Sequence, residues 1–313
     1  MNKVIHRIFF DFNDSGDPFL PLLETWKREL PDFQIMQWNK NNLPLDLNDF
    51  TRILTKEKNH AFLSDYFRCW LLEKYGGVYL DADIEVLDGE GFRKIYEETH
   101  SALDHSLFIG VESAANGKLT AHSMGLKGST SHPILRFLMD LYETAFSGPL
   151  HYAIKKFDMP FLMSLYFIDL EKQSISSASE NGCFRDIERP IIVDNIKIYP
   201  PSFFSPLTTR GDRMFVSSFG PETCLCHHFA ATWRKESSTI KSAKLFVEAL
   251  RDRDYMVKPG LVKRIQQRYP GLDFSPDKPK WELKPNQIQI IEKVLNMLIP
   301  YDSELYKLFK RKK

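Results

Sequence analysis

Cysteine is scarce in this chain: four in 313 residues cannot staple a domain of this size. A reducing compartment is the expectation. Long apolar runs are missing as well, and no stretch approaches the ~20 residues needed to span a bilayer. The first residues lack the basic region and apolar run of a secretory leader, so a cytoplasmic protein is expected. Neither sign of charge is in excess. A net charge of +1 gives no bulk electrostatic case for nucleic acid as a partner. No clear internal repeat is visible.

What is present is a globular composition. Hydrophobic content of 43% supports a real core, enough for one large domain or a domain with an appendage. The chain holds 24 Phe, and such rings both fill cores and make stacking platforms for sugars and bases.

The informative stretch runs from His60 to Asp88, HAFLSDYFRCWLLEKYGGVYLDADIEVLD. Its first half reads as a helix, with Phe62, Tyr66, Cys69 and Trp70 forming an apolar stripe at helical spacing. Asp65 and Arg68 are three apart and share another face. Gly76 and Gly77 stop the helix, because glycine takes the left-handed conformation without a Cβ penalty. Val78, Tyr79 and Leu80 read as a short buried strand. It ends in Asp81-Ala82-Asp83, and in an extended chain residues two apart point to the same side. Two carboxylates aimed at one spot repel unless a proton or a cation sits between them. An oxygen-only pair suits a hard divalent ion, Mn²⁺ or Mg²⁺, completed by substrate phosphates. The bland alternative is a solvated acidic turn, since D-x-D alone is common.

The string SDYFRCWLLEKYGGVYLDADIEVL, from Ser64 to Leu87, resembles the signature of the DXD sugar-transferase family. That family includes yeast Golgi outer-chain mannosyltransferases, bacterial polysaccharide glycosyltransferases and, distantly, the glucosyltransferase domains of the large clostridial toxins. The resemblance rests on Ser64, Asp65, Arg68, Gly76, Gly77, Tyr79, Asp81 and Asp83, and extends loosely over the first three quarters of the chain. It implies an α/β fold of GT-A type over residues 1–239, a nucleotide-binding, Rossmann-like mixed sheet flanked by helices. A helical C-terminal extension would follow over 240–313. It implies transfer of a hexose-type sugar, with retention of configuration, from a nucleotide-sugar donor to a glycan or lipid-linked glycan acceptor. UDP is the favoured nucleotide, and bacterial surface polysaccharide (capsule or lipopolysaccharide) the setting. Asp65 would face the sugar hydroxyls and Arg68 the sugar or diphosphate, and both would share the catalytic work with Asp81 and Asp83. Tyr79 and Asp81 would join the donor site. The implied cofactor is Mn²⁺ or Mg²⁺. Judged by residue type alone, an Asp65/Arg68 pair on one helix face is more often a surface salt bridge worth little, and the glycines and DXD that follow favour the functional reading.

Taken in order, the chain opens on a strand, Val4–Phe10, followed by a polar loop, Asp11–Pro18. In the resembled family the opening strand has the form I-x-H-x-I-W, with the aromatic stacked on the base. His6 keeps the histidine here and Phe9 stands for the Trp, so both are donor-site expectations, with a core Phe as the alternative for Phe9. Leu22–Leu30 reads as a helix, Phe33–Trp38 as a strand and Asn39–Asp49 as a loop. Ser106–Glu112 and Thr120–Gly128 read as partner strands, Ile134–Phe146 and Pro160–Leu170 as helices, and Glu171–Arg185 as a Ser-rich loop. Ile191–Tyr199 reads as one strand, broken by Pro200 and Pro201.

A second motif, CLCHHFAATW, spans Cys224 to Trp233. Its cysteines and histidines suggest zinc, but C-x-C-H-H is too compressed for four ligands to surround one ion. The family's ending H-H-x-x-x-[ST]-W fits better. It implies His228 as third ligand to the DXD metal, with Thr232 and Trp233 beside the leaving diphosphate. Beyond Ile240 an apolar stripe of Ile291, Val294, Leu295 and Leu298 precedes a basic tail. That tail could lie on the cytoplasmic face of the inner membrane, or pack on the catalytic domain.

Two rival readings stand beside the transferase. A nucleotidyltransferase making nucleotide sugars would use the same carboxylates, but would normally open with a Gly-rich, Lys- or Arg-bearing phosphate loop, and FDFNDSGDP is not one. A non-catalytic glycan- or nucleotide-binding protein on the same scaffold is the other, and the intact set of Asp81, Asp83 and His228 argues against it.

Overall fold

The computed structural model describes residues 3–113, 117–128, 130–145, 159–172, 182–185, 187–210, 213–216 and 220–228. Thr232, Trp233 and the segment 240–313 lie outside them. The chain divides into two compact units, Met1–Met139 with Met159–Trp233, and Asp140–Asp158 with Arg234–Lys313. The site and its supports belong to the first. No described helix is long and apolar enough to cross a membrane.

The fold is mixed α/β. Its strands in chain order are β1 (Val4–Ile8), β2 (Gln34–Trp38), β3 (Gly77–Leu80), β4 (Ile84–Val86), β5 (Leu107–Val111), β6 (Leu119–Leu126), β7 (Ile191–Val193), β8 (Ile196–Tyr199), β9 (Leu207–Arg210), β10 (Arg213–Val216) and β11 (Leu225–His227). Seven of them make one sheet in the order β2-β1-β3-β6-β5-β8-β7. β1 runs parallel to β2 and β3, while β6 is antiparallel to both β3 and β5. Every residue of β3, β5 and β6 is buried, so both faces of the sheet's centre are covered. That is why β3 and β5 read as continuous apolar runs, while β6 also buries the polar Thr120, His122 and Ser123.

The helices are α1 (Leu20–Glu29), α2 (Asp49–Lys56), α3 (His60–Tyr75), α4 (Gly89–Ser101), α5 (Pro133–Ala145), α6 (Met159–Lys172) and α7 (Pro201–Phe204). In α1 a Pro stands in the first turn and Lys27 and Arg28 in the last, where the chain dipole favours a cation. Its buried residues Thr25 and Trp26 hold β4. The Trp26 indole N–H donates to Ile84 O at 2.7 Å, and Val86 N–H donates to Thr25 Oγ1 at 3.0 Å. The helix thereby anchors the strand that follows the DXD. Asn59 caps α3, accepting from Phe62 N–H. Gly76 and Gly77 end it with φ of 65° and 82°. A Cβ on Gly77 would also lie 2.7 Å from Val4 O, so β3 meets β1 only because that side chain is absent.

Two elements differ from expectation. α2 occupies a stretch not read as helical. Its start is fixed by a capping box, with Thr51 N–H donating to Asn48 Oδ1 and Asn48 N–H donating to Thr51 Oγ1. The segment Ile191–Tyr199 is a hairpin, not one strand. Asp194 and Asn195 both have positive φ, 50° and 59°, which is the backbone of a two-residue type I′ turn.

Candidate active site

The site is built where β3 ends. Asp81 N–H donates to His122 O of β6 at 2.9 Å, and Ile84 N–H donates to Asp81 O at 3.1 Å. Asp81 through Ile84 is therefore a tight turn. The two carboxylates come together through that turn, not through the alternation of an extended strand expected from the sequence.

Arg68 lies behind the turn, on the face of α3 shared with Asp65. Its Nη2 is 3.0 Å from Asp65 Oδ1 and 3.1 Å from Asp81 Oδ1, and its Nε–H donates to Ser64 O at 3.2 Å. The Tyr79 hydroxyl donates to the same Asp81 Oδ1 at 2.7 Å, and the guanidinium sits 4.8 Å from the Tyr79 ring centre. The side chains of Arg68 and Asp65 are 9% and 15% exposed, which sets this pair apart from a solvated surface bridge. Burial opposes the Arg68 charge, but Asp81, Tyr79 and Asp65 outweigh it and hold the guanidinium firmly protonated. Burial, foremost, raises the Tyr79 phenol well above its ordinary value, so it stays a donor. Asp81 thus has one oxygen committed to Arg68 and Tyr79.

The second motif reaches this turn through a two-stranded ribbon. β11 pairs antiparallel with β4, setting Leu225 opposite Val86, Cys226 opposite Glu85 and His227 opposite Ile84. His228 N–H donates to Asp83 O at 3.1 Å. Neighbouring side chains on a strand point to opposite faces. His227 takes the inner face, with Nε2 3.3 Å from Asp83 Oδ2 and both side chains 13% exposed. His228 takes the other face and pairs with Glu85, Nε2 to Oε2 at 2.9 Å. The histidine beside the aspartates is therefore His227, where position matching had put His228. One residue of strand register makes the difference.

Asp81, Asp83 and His227 each offer a ligand atom, and these atoms lie within 4.8 Å of one another. Burial works to lower the His227 pKa, but Asp83, with Asp81 and Glu112 beyond it, prevails and raises it above the ordinary histidine value. Glu112, at the end of β5, was not singled out from sequence. Neither was His122, whose buried ring lies 4.3 Å from that of His227.

The zinc alternative gains no geometry. The Cys224 thiol donates to Phe203 O at 3.4 Å, and the two histidines face opposite ways. Burial pushes the Cys226 thiol up to about 11 and Cys224 higher still, so neither is a ready thiolate. Among the described residues, Asp81, Asp83 and His227 form the single group of three or more potential metal ligands.

His6 is a support, not a donor contact. Trp38 Nε1–H donates to its Nδ1 at 3.1 Å, which puts the ring proton on Nε2, and that N–H donates to Gly76 O at 3.0 Å. Both nitrogens are used inside the protein, and burial lowers the pKa to about 4. Tyr79 likewise touches Asp81 and Arg68 from within the core, 1% exposed. Phe9 is half-buried, edge-on to Phe19 at 6.2 Å, with the Arg7 guanidinium 5.7 Å from its ring.

Residues 17–100 match the family model of the glycosyltransferase sugar-binding region containing a DXD motif. That match takes in the stretch from Ser64 to Leu87 on which the sequence resemblance rests. Two solved structures are also similar. One is the PaToxG glycosyltransferase, at 14% identity and a TM-score of 0.36, matched over 47% of this chain and 61% of its own length. The other is a glycosyltransferase involved in the glycosylation of the major capsid of PBCV-1, at 9% identity and a TM-score of 0.38, matched over 79% of this chain and 100% of its own. No curated protein matches the chain.

Proposed function

We propose that this is a metal-dependent hexosyltransferase of GT-A type, moving a sugar from a nucleotide sugar to a glycan or lipid-linked glycan acceptor. UDP-sugars are the favoured donors, and surface polysaccharide synthesis on the cytoplasmic side of a bacterial inner membrane the favoured setting. The observation that carries the reading is the cluster of Asp81, Asp83 and His227, joined from two distant motifs at the end of β3.

The donor set fits a divalent ion. Two carboxylates suit Mg²⁺ or Mn²⁺, and an imidazole moves the preference toward a first-row ion such as Mn²⁺. Asp83 and His227 would hold it, with the remaining oxygen of Asp81. Once bound, such an ion neutralises the diphosphate as it departs. The protein's own groups do the rest. Arg68 holds Asp81 in place, and Asp65, held on the same guanidinium, would receive the sugar hydroxyls. The cluster's carboxylates are committed to the ion and to Arg68, which leaves none of them to act as a nucleophile. We therefore favour retention by front-face attack, in which the acceptor proton goes to the departing phosphate.

A thermal-shift panel of nucleotide sugars tests this, with Mn²⁺ or with EDTA. One UDP-sugar should raise the melting temperature in Mn²⁺ only. Stabilisation by a nucleoside triphosphate and a sugar phosphate, but by no nucleotide sugar, would favour the nucleotidyltransferase instead.

A further inference from the structure

We infer that His122 and Ser205 are positioning residues that hold the His227 imidazole in place for the Asp81–Asp83–His227 cluster. The inference rests on reading that cluster as an ion site.

The His122 ring lies against His227 with centroids 4.3 Å apart and planes tilted by 37°. It cannot turn. Its Nδ1 is 2.8 Å from Ser123 Oγ, and its Nε2 is 2.6 Å from Ser205 Oγ. Hydroxyls both donate and accept, so either tautomer of the ring is satisfied on both sides. The His122 carbonyl meanwhile accepts from Asp81 N–H at 2.9 Å. One residue of β6 therefore fixes the backbone of the first aspartate and backs the imidazole of the third group.

Ser205 closes α7, and that short helix reaches the same place a second way. Phe203 O accepts from Cys224 N–H at 3.1 Å, at the entry to β11. The turn around Pro201–Phe204 thus holds the strand that carries His227 and the ring behind it. His122 is 1% exposed, and Ser123 and Ser205 are 0% exposed. Three polar side chains without solvent are costly unless they bond one another, and simple packing between a strand and a turn would be met by an apolar side chain. The hydroxyls are needed if the orientation of the ring matters. Groups one layer behind a metal ligand typically change metal affinity by about 10–100-fold.

The test is Mn²⁺ titration of the full chain without nucleotide, followed by EPR, with pulsed EPR reporting imidazole nitrogen on the ion. Wild type should bind Mn²⁺ with a nitrogen coupling. Ser205→Ala should weaken binding about tenfold or more and reduce the coupling, with the metal-free melting temperature within a few degrees of wild type. Ser205→Thr, which keeps the hydroxyl, should restore both. His122→Phe, which keeps a ring without nitrogens, should behave like Ser205→Ala. If Ser205→Ala and His122→Phe bind Mn²⁺ as wild type does, with the same nitrogen coupling, the positioning role is overturned while the ion site stands. If wild type binds no Mn²⁺, the ion site itself falls, and this inference with it.

Discussion

Arg68 Nη2 lies 3.0 Å from Asp65 Oδ1 and 3.1 Å from Asp81 Oδ1, so one buried guanidinium joins a helix-borne carboxylate to the first aspartate of the DXD. This bridge explains how Asp81 stays oriented at the end of a fully buried strand. It also gives Asp65 and Arg68 unequal roles. Arg68 is a strut shared by two acids. Asp65 is the more exposed partner, and the one able to turn toward a sugar.

Arg68→Met should be severe. It leaves two poorly solvated carboxylates without their cation, a loss of about 3–5 kcal/mol by analogy with broken buried pairs. Denaturant unfolding measures it. Asp65→Ala should be mild on the same scale, because Arg68 keeps Asp81, yet should lower kcat by about 100-fold or more, some 2.7 kcal/mol of barrier. UDP affinity should be unchanged. Unaltered kinetics with only a lower melting temperature would make Asp65 a structural partner.

His227→Ala and His228→Ala should separate cleanly. His227 is beside Asp83, while His228 pairs with Glu85 on the other face of the ribbon. Calorimetric titration with Mn²⁺ should lose binding in His227→Ala and keep it within about twofold in His228→Ala, a half-exposed pair being worth about 1 kcal/mol or less. The reverse pattern would restore the assignment made by position matching.

Cys224→Ser and Cys226→Ser should leave Mn²⁺ affinity and turnover near wild type, since neither thiol joins the cluster and a thiolate suits this hard ion poorly. Elemental analysis of protein purified without added metal should find no stoichiometric zinc. Zinc at one per chain, lost in both variants, would overturn this.

The acid limb of stability should carry a His6 signature. Its folded pKa is about 4, below the ordinary 6.5, because burial disfavours the charge. Above pH 6.5 the ring is neutral in both states and the His6 bonds contribute fully. Between 6.5 and about 4 the unfolded chain binds a proton that the native chain refuses, so stability falls as the pH drops. For this group the loss reaches roughly 3 kcal/mol. His6→Gln should be less stable at pH 7.5 but show a shallower decline toward pH 4.5, by urea unfolding at each pH. Parallel declines would contradict the buried neutral ring.

Much of this was legible along the chain, and the reasons are local. α3, its glycine stop and β3 are specified by residues within one short stretch, as are Asp65, Arg68, Asp81 and Asp83. The Asp194–Asn195 turn was also there to be read, but Ile-Ile-Val on one side and Ile-Lys-Ile-Tyr on the other resemble one long strand. What could not be read is what depends on pairing. Which of two adjacent histidines meets Asp83 is decided by the register of β11 on β4, two segments far apart in sequence. His122 and Ser205 look like ordinary polar residues until β6 and α7 are brought together. His6 looked like a donor contact because its bonds to Trp38 and Gly76 are equally non-local.

The most direct test of the account is hydrolysis of a panel of nucleotide sugars by the purified full chain, with excess Mn²⁺, with EDTA, and with the Asp83→Asn variant. The account predicts release of nucleoside diphosphate from one donor in Mn²⁺, none in EDTA, and at least a hundredfold loss, about 2.7 kcal/mol, in a folded Asp83→Asn protein. Equal rates in Mn²⁺ and EDTA, or an Asp83→Asn protein as active as wild type, would contradict it.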